Sequence, residues 1–445
     1  MCVRVSAGLR ELADNRAEKV ALTRFFRNKR VTVDEILQTA AERTGAAAAG
    51  RHVLLIEDTS EINYEAKAKR KRGLGRVGNG ADVGLFVHPA LAVDAADGAV
   101  LGLAGATIWR RRRVKEDDYQ SLPIEEKESW RWIATALKAT TFLSTAALVT
   151  LIADREADIY ELFARVPDGH THVLVRAVRD RALADVGGGR MLSKIAAEPE
   201  AGRLSFDLAA RPGRTARKVT LAVRFCPVTL RQPARGADRR DPRQVSLFFV
   251  EAQEIDAPPG EEPIVWRLLT THKATTLAEA AWIVELYRRR WIIEQLFRTL
   301  KSQGLDLEDS LLSDGEALER LAATALIAAA SVMQLVQGRA EAGSALPASR
   351  VFAPDEISVL EPLIRKLEGK TAKQKNPHPK GSLAWAAWGV ARLGGWNGYA
   401  KERPPGPVTF ARGLRRFHAI AEGFALANNS NKPIDKPPES NVCAR

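Results

Sequence analysis

Apolar positions along the chain follow two different periods, and these predict where strands and helices lie. Continuous apolar runs at residues 53–56 (VLLI) and 147–153 are typical of strands buried on both faces. Residues 85–93 and 99–106 read as two more strands. The intervening DAADG sequence at 94–98 favours a hairpin turn. The sequence therefore predicts a sheet that begins near residue 51.

Helical periodicity dominates one central stretch and both ends of the chain. Thr32 and Thr276 are each followed three residues later by Glu, which is the capping-box signal for a helix start. No Pro or Gly interrupts residues 276–301, so we expect one continuous helix there. Further helices are predicted at 20–26, 123–143, 159–165, 317–336, 355–367, 382–392 and 410–424.

The middle of the chain turns to β alternation with Pro/Gly-rich loops. Strands are predicted at 173–176, 204–208, 219–225, 245–250 and 264–270, and the last four form a β-rich insertion before the central helix. Residues 67–80 are basic and Gly-rich and predict a loop. Residues 427–445 are polar and Pro-rich and predict a disordered tail.

The charge balance narrows the class of partner. The 445 residues carry 67 Lys and Arg against 54 Asp and Glu, a net charge of +13 that favours a polyanion such as nucleic acid or an acidic membrane surface. No apolar run approaches the roughly 18 residues needed to span a bilayer, and residues 325–336 read as part of a core helix. The three scattered cysteines favour a reducing interior without zinc or disulfides.

The central helix carries a group of polar side chains on one face. Tyr287, Arg290, Glu294 and Lys301 fall within an arc about 60° wide at the helical period of about 100° per residue. The apolar stripe beside them (Leu286, Ile293, Leu296, Phe297 and Leu300) can dock on a core. An acid among cations and a hydroxyl suggests a metal ligand among phosphate contacts. A solvated helix face is the alternative.

Two more acids stand at the ends of predicted strands. Asp58 follows the first apolar run, and Asp154 follows the second. Two strand-end carboxylates and one helix carboxylate can converge on a pair of divalent cations, and Mg²⁺ suits such a set because it binds through few carboxylates. Each acid also has a structural alternative. Asp58 could form an Asx turn, Asp154 could cap a helix, and Glu294 could make a surface ion pair.

From these residues the sequence resembles the bacterial insertion-sequence transposases of the IS-four group, the cut-and-paste DDE enzymes of the Tn-five type. The resemblance covers residues 25–426. Its most specific element is the signature Tyr-x2-Arg-x3-Glu-x6-Lys, met by Tyr287, Arg290, Glu294 and Lys301. Asp58 matches the first acid of the family and Asp154 the second. The β-rich segment matches the insertion domain that the family carries before its third acid.

The resemblance implies a fold, a mechanism and a site. The fold is α/β: an RNase H-like mixed sheet with a β-rich insertion, a helical N-terminal segment and a helical C-terminal dimerisation region. Asp58, Asp154 and Glu294 would hold two Mg²⁺ ions, with Mn²⁺ as a substitute, for strand nicking, hairpin formation and resolution, and strand transfer. The implied DNA contacts are Arg155, Arg176, Trp266, Tyr287, Arg290 and Lys301. Trp266 would stack on a flipped base, and an ordinary core Trp is its alternative.

The implied organisation divides the chain into six parts. These are a shortened helical DNA-binding segment (1–50), the first part of the catalytic core (51–185), the β-rich insertion (186–271), the second part of the core (272–340), the dimerisation region (341–426) and the tail (427–445). The expected partners are double-stranded DNA, as transposon ends and target, and a second copy of the chain in the synaptic complex. No membrane is expected, and the location would be the cytoplasm at the nucleoid.

Two other functions remain open on the sequence. An RNase H-like nuclease that cuts DNA without transposing it would have no need of Trp266 or of a dimerising region. A catalytically silent DNA-binding relic would occupy transposon ends.

Overall fold

Eleven strands form one mixed sheet in the part of the chain that the structure, a computed structural model, describes. The described residues are 7–13, 15–78, 80–111, 122–185, 187–208, 215–234, 238–339, 346–399 and 402–430. The strands are β1 (His52–Glu57), β2 (Ser60–Asn63), β3 (Gly75–Val77), β4 (Asp82–Asp94), β5 (Val100–Trp109), β6 (Leu148–Ala153), β7 (Thr171–Arg176), β8 (Gly202–Leu208), β9 (Arg217–Arg231), β10 (Gln244–Ile255) and β11 (Val265–Thr270).

The sheet has the order β2-β4-β1-β6-β7-β11-β10-β9-β8, with β3 and β5 also paired to β4. Strands β1, β6 and β7 are parallel neighbours, and the other pairs are antiparallel. Val53 lies beside Val149 and Ile56 beside Ile152 in the β1–β6 register. Because the carboxyl ends of parallel neighbours meet at one sheet edge, the residues that follow β1 and β6 lie side by side.

Burial on both faces explains why the central strands read as continuous apolar runs. Val53 and Leu55 belong to one core with Trp132 and Ile133 of the covering helix α4 (Trp130–Phe142). The alternate side chains point to the opposite face and are equally buried. The predicted strands and the β4–β5 hairpin are confirmed, and Gly98 adopts the positive φ of +77° that its turn requires.

The strands predicted as a β-rich insertion continue the same sheet. Strand β11 pairs antiparallel with β7, and β10, β9 and β8 follow outward as long antiparallel ribbons. The four predicted strands of this segment are therefore present. The six-part division of the chain stays a prediction. By contacts the described residues form two compact units, one up to residue 337 and one from residue 338 onward.

The helices of the first unit are α1 (Leu9–Leu12), α2 (Arg16–Arg27), α3 (Val33–Ala48), α4, α5 (Tyr160–Arg165), α6 (Met191–Ala197), α7 (Leu277–Arg288), α8 (Ile292–Lys301) and α9 (Gly315–Gly338, ending one residue past the unit boundary). Thr32 makes the predicted capping box with Glu35. Among the described residues α9 alone is long and apolar enough to cross a membrane, and 72% of its most apolar window is buried in the protein.

The predicted segments at 67–80 and 123–143 differ from the structure. The predicted loop at 67–80 contains a 3₁₀ turn (Glu65–Arg70) and strand β3, because β3 pairs with β4 in a contact that local composition does not encode. The predicted helix at 123–143 starts late: a 3₁₀ turn (Ile124–Glu126) comes first, and regular α-helix begins at Trp130.

In its described part the second unit has three α-helices: α10 (Pro354–Leu367), α11 (Leu383–Leu393) and α12 (Pro407–Ser430). These confirm the helices predicted there. Gly389 approaches Ile364, and Gly413 approaches the Val390 carbonyl so closely that a Cβ would collide at both positions. Helix α12 continues four residues into the predicted tail, so that part of the prediction is wrong. Residues 431–445 lie outside the described residues.

Candidate active site

The central helix is broken in its middle, which corrects the prediction of one continuous helix. Thr276 forms the predicted capping box with Glu279 and starts α7. A 3₁₀ turn (Arg289–Trp291) then separates α7 from α8. Arg289 in this turn donates to the backbone carbonyls of Ala95 and Ala96 in the β4–β5 hairpin. This tertiary contact accompanies the tightening, and no residue type in the stretch signals it.

Arg290, in the 3₁₀ turn, bridges two of the three predicted acids. Its Nη1 donates to Asp58 Oδ2 at 2.8 Å, and its Nη2 lies 3.4 Å from Glu294 Oε1. Only 11% of the Arg290 side chain is exposed, and its Nε has no hydrogen-bond partner among the described residues. The Asp58 loop and the helix acid thus meet at one guanidinium group.

Asp154 lies close enough to Asp58 to perturb it. Burial raises the pKa of Asp58 to about 6, and the charge of Asp154 raises it further against the opposing charge of Arg290. Asp154 also accepts the Glu156 backbone N–H at 2.8 Å. Asp154 therefore caps the turn that follows it, as its structural alternative predicted. It leaves the second carboxylate oxygen, Oδ2, uncommitted to that bond.

The donor set fits hard divalent cations in its chemistry. Asp58, Asp154 and Glu294 supply only carboxylate oxygens, and one arginine leaves this set with an excess of negative charge. In the described part of the chain no three His, Cys, Asp or Glu side chains lie together in a metal-binding arrangement. At this site the Arg290 guanidinium lies between Asp58 and Glu294. Asp58 and Glu294 therefore converge on the positively charged side chain of Arg290.

The predicted phosphate contacts differ in their exposure and in their partners. Tyr287 is buried, with its pKa raised by that burial. Lys301 Nζ lies 3.9 Å from Glu308 Oε1. Arg176 Nη2 donates to the Val265 carbonyl at 3.2 Å. Arg155 is exposed, and its side chain has no partner among the described residues. The predicted phosphate contacts stay predictions.

Trp266 is half-buried and lines an open groove of about 870 Å³. Its ring is stacked near Phe206, with centroids 6.0 Å apart and planes 5° apart, and it meets Tyr287 edge to face at 5.9 Å. Trp291 of the 3₁₀ turn lines the same groove. Trp266 is therefore not the fully enclosed core residue of the alternative. Its stacking on a DNA base stays a prediction.

A polar network that the sequence did not reveal ties the two strand-end loops together. Arg131 of α4 donates through Nε to Thr59 Oγ1 at 3.1 Å and through Nη2 to Glu156 Oε2 at 2.8 Å. Thr59 in turn contacts Nδ1 of the buried His88, whose Nε2 lies 3.3 Å from Glu57 Oε2. Arg131 is 72 residues from Thr59, and no motif marks the pair.

Carboxylates that follow two parallel strands and lie near a helix carboxylate are suited to hold divalent cations for phosphoryl transfer. Residues 133–330 match the family model described as "Transposase DDE domain". The match includes Asp154 and Glu294 and supports a DDE transposase, a metal-dependent enzyme that acts on DNA. The large mixed sheet with its helices is consistent with the RNase H-like fold of such enzymes.

Proposed function

We propose that the chain is a cut-and-paste DNA transposase of the IS-four group. The observation that carries this proposal is the convergence of Asp58 and Glu294 on Arg290, with Asp154 close enough to raise the pKa of Asp58. The signature Tyr-x2-Arg-x3-Glu-x6-Lys supports the particular group. The domain match supports the reaction class.

Asp58, Asp154 and Glu294 would hold the cations, with Mg²⁺ as the expected ion and Mn²⁺ as a substitute. A bound pair of such ions supplies an activated nucleophile and stabilises the leaving oxygen. Arg290 would exchange its carboxylate partners for the non-bridging oxygens of the scissile phosphate, because a guanidinium group binds both kinds of anion with two N–H donors. Arg155, Arg176 and Lys301 would neutralise neighbouring phosphates.

The reaction sequence proposed consists only of phosphoryl transfers. Water attacks the phosphodiester at the end of the element and releases a 3′-hydroxyl group. That hydroxyl attacks the opposite strand and closes a hairpin. A second water molecule opens the hairpin, and the 3′-hydroxyl group then joins target DNA. Trp266 would stack on the base displaced from the hairpin, and such stacking contributes about 1–3 kcal/mol per base.

The proposal also includes an assembly and a location. Cutting and joining two ends together requires two active sites, which we assign to a homodimer on DNA with helices α10–α12 as the dimerising region. Residues 1–50 would contact DNA, and α2 carries Arg24 and Arg27 in its last turn for that role. The protein would act at the nucleoid in the cytoplasm.

The test is cleavage of a labelled duplex that carries the terminal repeat of the element, with Mg²⁺ or Mn²⁺. Wild type should give a nick and then a hairpin, and Glu294→Gln or Asp58→Asn should abolish both. Glu42→Gln is the matched control, because Glu42 is an exposed acid on α3 that accepts a hydrogen bond from Gln38. Nicking without a hairpin would indicate a nuclease. Binding without cleavage would indicate a silent relic. Cleavage that survives Glu294→Gln would refute the site.

A further inference from the structure

Beside the candidate active site lies a second, smaller pocket whose charged lining is entirely arginine. Its volume is about 210 Å³. We name it the arginine pocket. It is lined by Arg155, Arg176, Ala177, Val178, Arg179, Met191, Leu192, Val265 and Arg267. No carboxylate is among these lining residues, although elsewhere in the chain arginines are surrounded by acids. Arg165, for example, pairs with Glu125, Asp238 and Asp241.

The wall of the pocket is fixed by a buried carboxylate behind it. Asp158 Oδ2 accepts the backbone N–H groups of Val178 and Arg179, both at 2.9 Å. Asp158 Oδ1 pairs with Arg181 at 2.6 Å, and the Asp158 side chain is fully buried. The chain that leaves β7 is therefore held in one course. Arg155 comes directly after the acid Asp154, so the pocket adjoins the candidate active site.

The arginines of the pocket are only partly neutralised. The side chains of Arg155 and Arg179 have no partner among the described residues. Arg267 Nε donates to Glu251 at 2.9 Å, and Glu251 also lies 3.7 Å from Arg224, so one acid serves two cations. Arg176 donates to a neutral carbonyl. Like charges that line one pocket repel one another, and an anion between them relieves that repulsion.

We propose that the arginine pocket binds a backbone phosphate of the DNA strand held in the active site, and that Arg179 and Arg267 are phosphate contacts in addition to Arg155 and Arg176. The identity of the anion as DNA rests on the proposed function. Guanidinium groups present forked N–H donors that match phosphate oxygens. Arg176 lines both this pocket and the larger groove of Trp266, so a strand can run from one to the other.

The first measurement is the salt dependence of binding. Wild type, Arg179→Gln and the control Arg203→Gln are compared by fluorescence anisotropy on a terminal-repeat duplex in EDTA, at four salt concentrations. Arg203 is exposed, pairs with Glu200 and lies outside the pocket, so the control removes the same charge elsewhere. We expect Arg179→Gln to weaken binding about tenfold and to reduce the slope of log K against log salt by about 0.9. An unchanged slope and affinity would overturn the proposal.

The second measurement locates the phosphate. A set of duplexes is made in which one phosphate, at a different position in each, is replaced by a neutral methylphosphonate. Wild type should bind more weakly to each duplex in which the replaced phosphate is one that the protein contacts. At one position the loss should be absent in Arg179→Gln, because the contact is already gone. If the loss from the methylphosphonate and the loss from Arg179→Gln add at every position, the proposal is wrong. It is also wrong if inorganic phosphate binds at Arg179 while Arg179→Gln leaves DNA binding unchanged. These readouts need no cleavage, so failure of the transposase reaction would leave them interpretable.

Discussion

At the scale of single residues, Arg290 plays two roles that oppose each other. It holds Asp58 and Glu294 at 2.8 and 3.4 Å, and its guanidinium lies between the carboxylates proposed to bind metal. A bound cation and this guanidinium therefore compete for the same oxygens. In the reaction proposed above, the same guanidinium group would bind the scissile phosphate. Metal affinity and catalysis should consequently respond to its removal in opposite directions.

We expect Arg290→Gln to bind Mn²⁺ more tightly than wild type while its DNA cleavage falls on the order of a hundredfold, the usual cost of losing a donor to transition-state charge. Titration followed by the Mn²⁺ electron paramagnetic resonance signal gives the first quantity, and single-turnover cleavage gives the second. Weaker Mn²⁺ binding in the variant would mean that Arg290 positions the carboxylates instead of competing for them.

Three histidines form a separate cluster at the other end of the central strands, away from the three acids. Thr150 Oγ1 lies 2.8 Å from Nε2 of both His52 and His272, and the rings of His172 and His272 stack with centroids 4.0 Å apart. Burial lowers the pKa of His272 to about 3, and it also lowers the pKa values of His52 and His172. The charged groups that act on the cluster are Asp94 and Arg289 near His52, and Asp168 near His172.

This cluster makes stability depend on pH with a definite sign. Unfolded histidines take up protons below their ordinary pKa of 6.5, whereas folded His272 stays neutral until about pH 3. The contribution of neutral His272 to the free energy of unfolding is therefore fully present above pH 6.5 and is lost as the pH falls from there towards 3. At pH 5.5 His272 alone should lower the free energy of unfolding by about 1 kcal/mol relative to its value at neutral pH.

Urea denaturation at pH 7.5 and pH 5.5, followed by tryptophan fluorescence, tests this effect. His272→Gln should lose less stability between the two pH values than wild type does. His170→Gln serves as control because His170 bonds the Ala146 carbonyl outside the cluster. Equal pH dependence of His272→Gln and wild type would contradict the assignment.

At the scale of secondary-structure elements, helix α4 connects the loops that follow β1 and β6. Its Arg131 donates to Thr59, next to Asp58, and to Glu156, two residues after Asp154. The side chain is largely buried and lies over the rings of Trp109 and Trp132. Helix α4 thus holds the two loops that carry the proposed catalytic carboxylates, and we propose that Arg131 is a positioning residue.

Arg131→Gln should therefore reduce the rate of cleavage about tenfold to a hundredfold and weaken Mn²⁺ binding, while the Kd for DNA stays unchanged. Lys138→Gln on the same helix is the control, since Lys138 pairs with Asp34 on the surface. Arg131→Lys should recover part of the rate, because an ammonium group can keep one of the two bonds. A loss confined to DNA affinity would refute the positioning role.

The same scale shows what the sequence encodes locally and what it does not. Capping boxes at Thr32 and Thr276 and the apolar runs of β1 and β6 are local signals, and each predicted its element. Asp58 and Asp154 were predicted because each follows an apolar strand run, and Glu294 because it shares one face of the predicted helix with Arg290. The 3₁₀ break and strand β3 depend on partners far away in the chain, as does the Arg131 contact. No local pattern carries that information.

At the scale of the whole molecule, the sheet joins the β-rich segment rigidly to the candidate site. Because β11 pairs with β7, Trp266 and Arg267 on β11 are placed beside Arg176 at the end of β7. The same pairing brings the groove and the arginine pocket to neighbouring positions. A DNA strand would therefore meet a preformed surface in this region, and its binding would depend on charge summed over many contacts.

The net charge of +13 gives the final prediction a direction. Binding to a duplex of random sequence should be largely electrostatic, because each phosphate neutralised by Lys or Arg releases condensed counterions. A surface that contacts about six to ten phosphates should lose about a thousandfold or more in affinity between 50 and 200 mM salt. Filter binding across that range measures the slope, with vesicles of anionic lipid as the competing polyanion. A change below about tenfold, or an equal affinity for the vesicles, would contradict a surface built for DNA.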